Sequence, residues 1–118
     1  MNLTLDEISN LVLKTLSPEE QRSSITYLDN RVLPAGALTE IDRKQIRTSS
    51  PTVVAFVDLM PTMNWAHQCR YLLVDVNTGA IKSIAGRFPP FWKRTPDTLH
   101  VIQRGYAVPN WAMPAGDE

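Results

Sequence analysis

The sequence holds a single cysteine, Cys69, so the chain can close no disulfide on itself, and its two histidines, His67 and His100, offer little to a metal ion. It has no excess of charge: twelve basic residues balance twelve acidic ones. No global field would therefore draw it onto nucleic acid or an anionic membrane. No apolar run approaches the ~20 residues that cross a bilayer. The N-terminus MNLTLDEISN has neither the basic flank nor the apolar stretch of a secretory signal. These absences predict a cytoplasmic, reducing address with no membrane partner and no nucleic-acid partner. Glycine-rich phosphate loops, HExxH, GxSxG and carboxylates paired at an informative spacing are also missing. Internal repeats and low-complexity tracts are absent too, and no cofactor is expected.

What is present suits one domain spanning residues 1–118, because a chain of this length with 43% apolar residues can bury a core of its own. In LDEISNLVLKTL the apolar positions Ile8, Leu11, Val12 and Leu16 recur at helical spacing, with Thr4 as N-cap and Asp6 and Glu7 in the first turn. Ser17-Pro18-Glu19-Glu20 then reads as a capping box with proline at the first helical position. The pattern predicts a second helix running to about Asn30, with Ile25 and Leu28 inward, so that residues 1–30 form a helical pair.

Residues 34–50 carry no decisive pattern beyond a turn at Pro34-Ala35-Gly36. From Thr52 the texture changes, since TVVAFVDLM is rich in β-branched and aromatic residues and is bounded by Pro51 and Pro61, as in a strand buried on both faces. Strands over 66–76 and 80–88 are expected to meet through Asn77-Thr78-Gly79, glycine supplying the positive φ of a tight turn. Residues 89–118, rich in proline and tryptophan, read as an extended wrap with strand texture at 99–102. The expected fold is α+β: an N-terminal helical hairpin packed on a three- to four-stranded antiparallel sheet. Val54, Phe56, Leu72, Val74 and Ile84 are placed in the core.

Three patterns could carry chemistry. Period-two alternation puts Trp65, His67, Cys69 and Tyr71 on one strand face, so His67 could activate Cys69 as a nucleophile with Asp58 orienting it from the neighbouring strand. Against this, unpaired cysteine is among the most buried residue types, and a thiol among apolar groups has its pKa raised. On that reading His67 sits at the solvent edge of the sheet. A metal centre would need His100, Asp58 or Asp75 beside His67 and Cys69, and none lies at ligand spacing. Arg87, Lys93 and Arg94 around Phe88, Phe91 and Trp92 form the one basic-aromatic cluster, the pattern of a single-stranded nucleic-acid binder, but the cations are few.

The stretch YLLVDVNTGAIKSI, with Val74-Asp75, Thr78-Gly79, Ile81 and Ile84, resembles the hairpin of PepSY-like domains, and LTLDEISNLVLKTL resembles their leading helix. That resemblance implies a small α+β module that binds and restrains a protein partner without catalysis. The large aromatics Trp65, Phe91, Trp92 and Trp111, set beside prolines or outside the regular strands, are the candidate anchors for that partner. A cysteine-dependent enzyme using Cys69 and His67 is the alternative.

Overall fold

The computed structural model describes residues 2–63, 66–91 and 94–114. Its first helix, α1, spans Leu5–Leu13 and is held at its start by a reciprocal capping box. The Glu7 amide donates to Thr4 Oγ1 at 3.1 Å and the Thr4 amide donates to Glu7 Oε1 at 2.9 Å. Ser17 and Glu20 form the same box at the start of α2, Pro18–Ser23.

The second helix is where the expected helical pair fails. α2 ends at Ser23, and Ile25–Asp29 is a strand, β1. Ile25 through Leu28 are all buried. A strand covered on both faces shows no alternation, and its Ile25-Leu28 spacing imitates a helix. β1 has no free edge, because it pairs antiparallel with β4 (Thr52–Asp58) on one side and with β7 (Leu99–Arg104) on the other.

The sheet has five strands in the order β6-β5-β4-β1-β7, all antiparallel, where β5 is Cys69–Asp75 and β6 is Ile81–Gly86. A separate two-stranded hairpin is made by β2 (Leu38–Ile41) and β3 (Lys44–Arg47). The fold is thus α+β with a five-stranded sheet plus a hairpin, in place of a helical hairpin on three or four strands. β5 starts at Cys69 and β6 stops at Gly86, so both strands are shorter than expected. The segment after residue 89 contributes an edge strand.

Between β5 and β6, Gly79 takes φ +77°, as the turn requires, and Asp75 Oδ1 accepts from the Asn77 and Thr78 amides at 2.8 and 3.1 Å. The β2–β3 turn places Asp42 and Arg43 at φ 54° and 64° without any glycine. Two consecutive left-handed residues in a two-residue loop match the right-handed twist of the strands, at a strain cost in the range of ~1–3 kcal/mol each.

Alternation along the strands gives the sheet two covered faces. On one, Ile8, Val12 and Leu16 pack on Leu28, Val53, Ala55, Val57, Leu72 and Val74. On the other, Ile41 of the hairpin and Val108 after β7 pack on Ile25, Tyr27, Phe56, Cys69, Tyr71 and Leu99. Of the expected core residues, Phe56, Leu72 and Val74 are buried, whereas Val54 and Ile84 are half-buried at the rim of the second face.

Candidate functional site

The second face carries the polar chemistry. Its floor is a run of rings: Phe56 lies 5.6 Å from Tyr27 and 5.2 Å from Tyr71, and Phe91 meets Tyr27 edge-on at 5.3 Å. Phe91 is therefore turned into the core, half-buried. The Tyr71 hydroxyl donates to the Phe88 carbonyl, tying the segment after β6 to the sheet. Burial is the main reason that hydroxyl titrates well above the ordinary tyrosine range.

Above the rings, the Asp42 carboxylate anchors the β2–β3 turn to the sheet. Its Oδ1 accepts from the amides of Arg87 and Phe88, both at 2.9 Å. Gly86 leaves the room this needs, since a Cβ there would come within 2.9 Å of the same oxygen. Arg43 follows by laying its guanidinium 4.1 Å over the Phe88 ring. The strained turn is thus offset by two amide bonds and one stacking contact, all made by the two residues that carry the strain.

At the end of the sheet where β4 leaves and β5 enters, His67 Nε2 lies 2.8 Å from Asp58 Oδ1, and both residues are 8% exposed. The Met60 amide also donates to that carboxylate oxygen, at 3.1 Å. Burial pushes the Asp58 carboxyl above its ordinary value, against the opposing pull of His67 and the Met60 amide. His67 is therefore an interior residue, not the solvent-edge residue expected. The His67 amide donates to the Arg87 carbonyl at 2.9 Å, just beyond the last paired residues of β5 and β6, and this holds the imidazole beside Asp58.

Cys69 sits directly across from Asp58 in the β4–β5 register and is 1% exposed. Burial, with the negative charges of Asp42 and Asp58, pushes its thiol up to about 12. The structure thus brings Asp58 to His67, as an orienting carboxylate would be, but leaves the thiol closed to solvent and protonated at neutral pH. The thiolate is the reactive form, so this arrangement gives Cys69 no activated state.

The remaining candidates are dispersed. Asp75 is spent on the hairpin turn, its carboxyl held below the usual range first by the Asn77 amide. His100 pairs with the Asn30 side chain at 3.2 Å on β7. Among the described residues, no group of three or more His, Cys, Asp or Glu could hold a metal ion. Arg87 and Arg94 are exposed, but Phe88 is already stacked under Arg43 and Phe91 is packed inward, so neither ring is free to stack on a base. Trp65, Trp92 and Lys93 lie outside the described residues.

Among the described residues Trp111 is the aromatic anchor that stands open, 73% exposed in a short 3-10 turn, Asn110–Ala112. Sequence reasoning missed its companions: Tyr106 is 84% exposed, Met63 53%, and Met60 is also exposed. The strand registers put the β4–β5 loop and the segment after β7 at the same end of the sheet, because Ile25 faces both Asp58 and Arg104. The segment is fixed from below. Arg104 Nη2 donates to the Val108 carbonyl and to Asn110 Oδ1, each at 2.7 Å. Gly105 abuts the end of α2 so closely that a Cβ would lie 2.3 Å from the Arg22 carbonyl oxygen.

Among the described residues no helix is long and apolar enough to cross a membrane. Comparison with protein-family models, with curated proteins and with solved structures returns no match to this chain.

Proposed function

We propose that this chain is a non-enzymatic binding module that docks on a protein partner through the end of its sheet. Trp111, Tyr106, Met60 and Met63 supply the contact. The observation that carries this reading is the exposure of Trp111 and Tyr106 on a segment already ordered by Arg104 and Val108. A backbone held in place before binding loses little entropy on contact, and aromatic anchors dominate interface energetics. The methionines add an adaptable apolar surface. The partner we infer is a protein segment with an apolar ridge, since the four side chains offer no charge to an acidic or basic ligand. The resemblance of the β5–β6 hairpin to PepSY-like modules points the same way. A cytoplasmic setting, in which Cys69 stays reduced, completes the proposal.

The state of Cys69 supports a non-catalytic reading over the cysteine-enzyme alternative. Folded protein should resist iodoacetamide at neutral pH and react fully only once denatured. Rapid labelling that slows in His67→Ala would favour a cysteine-dependent transferase or hydrolase instead.

The docking surface is tested by capture with the full chain against Tyr106→Ala/Trp111→Ala, with Leu38→Ala as an exposed apolar control far from that end. A protein that wild type and Leu38→Ala retain and the double variant loses, and that rebinds in purified form with the same order, meets the expectation. Equal capture by all three chains overturns the surface, as does loss only of anionic vesicle binding.

A further inference from the structure

The β2–β3 hairpin does not lie flat on the ring floor. A cleft of about 310 Å³ opens between β2, the Phe88–Pro90 segment and the start of β7, with Val54, Phe56 and Tyr71 at its base. That volume falls at the small end of ligand pockets, and an apolar base under a few placed polar groups is their usual construction.

Five charged side chains line the cleft, and four of them are engaged. Arg31 is held in a two-pronged bond by Asp29, with Nη2 to Oδ2 at 2.8 Å and Nε to Oδ1 at 3.1 Å. Asp42 accepts the Arg87 and Phe88 amides, and Arg43 is stacked on Phe88. Glu40 is the exception: among the described residues it has no ion pair and no hydrogen-bond partner. Glu40 lines the same cleft as Tyr71. Arg31 and Arg43 offset two of the three carboxylates, so the lining carries one net negative charge over an apolar base.

We propose that this cleft binds an organic cation, a primary ammonium on an unbranched apolar stem, with Glu40 taking the charge and the stem lying along Val54, Leu99 and the prolines at 89, 90 and 96. A charge-assisted ammonium–carboxylate contact is stronger than one between neutral groups, and the stem supplies apolar burial. The site lies on the sheet's face, apart from the docking end, and does not depend on the docking proposal.

The test is a titration of n-hexylamine into the isotope-labelled full chain, followed by amide chemical shifts. The expected result is saturable movement at residues 39–43 and at Phe88, with no movement on adding hexanoate. Affinity should fall roughly tenfold in Glu40→Gln, the size of a lost charge-assisted contact. That variant should keep its fold, because Glu40 is exposed and bonds to nothing described. Parallel titration with Nα-acetyl-lysine amide separates the sources of the cation. Comparable binding assigns the cleft to a lysine side chain of a protein, and binding of hexylamine alone assigns it to a free amine. Absent or non-saturable shifts, equal response to hexanoate, or unchanged affinity in Glu40→Gln would each overturn the proposal.

Discussion

On the helix side of the sheet the buried cluster is aliphatic throughout, from Ile8 and Val12 to Val57 and Leu72. On the hairpin side the cluster holds Tyr27, Phe56, Tyr71 and Cys69, with the carboxylates of Asp42 and Asp58 drawn in beside them. The cause lies in what covers each face. A nine-residue amphipathic helix meets its backbone within its own element, by intrahelical bonds and the Thr4–Glu7 capping box, and can offer a continuous apolar stripe. A two-stranded hairpin and a proline-rich segment cannot, so their backbone amides must be met by side chains reaching in. Asp42 does this for Arg87 and Phe88, and Tyr71 does it for the Phe88 carbonyl. One face is a dry seal. The other is a set of bonded struts with a cleft between them.

That contrast is broken most severely by removing volume from the dry side. Leu72→Ala deletes a fully buried side chain facing α1, and denaturant unfolding should show a loss of ~2–5 kcal/mol. Asp42→Ala on the other side should cost less, about 1–3 kcal/mol, by orphaning two amides. Its effect should be local: amide shifts of the β2–β3 hairpin and Phe88 move while those of α1 stay.

Two carboxylates, one on each face, sharpen the comparison through pH. Glu20 meets Arg70 on the helix side at 2.9 and 3.0 Å, and that bond holds its carboxyl below the ordinary 4.5. Its stabilisation is present above 4.5 and is lost as pH falls through the lowered native value. Asp58 runs the other way. Burial raises its carboxyl above 3.8, so the native state keeps the proton longer than the unfolded chain, and stability is lost as pH rises through the raised native value. Glu20→Gln should therefore remove about 0.5–1 kcal/mol near neutrality and flatten the acid limb. Asp58→Asn should instead flatten the decline above pH 4. Urea unfolding midpoints between pH 3 and 7 distinguish the two slopes.

The smallest effect expected is at Arg43→Gly, where relief of the left-handed strain and loss of the Phe88 stack offset one another to within ~1 kcal/mol in thermal unfolding.

The same contrast explains what could be read in the sequence. The N-cap at Thr4, the capping box at Ser17, the strand from Thr52 and the turn at Gly79 all rest on local rules, and all are present. The burial of Cys69 followed from its residue type and neighbours. β1 was hidden because burial on both faces erased its period, and the β2–β3 hairpin because its turn is Asp42-Arg43 where a glycine would have signalled it. Pairing of Asp58 with His67 was half legible: the carboxylate was placed on the neighbouring strand, but the imidazole was expected at the solvent edge and is buried. The cleft and the exposed Tyr106 depend on which way covering segments lie, which no spacing records.

Native-state hydrogen exchange under increasing denaturant tests the central contrast most directly. A hairpin that forms its own two-stranded sheet is marginal by itself and should open without the rest. The amides of β2 and β3 should exchange through an opening of lower free energy than those of α1, β4 and β5, which should exchange together at the global value. Merging of the β2–β3 amides with the α1 and β4 amides at one free energy would contradict the account, for the two faces would then be a single cooperative unit.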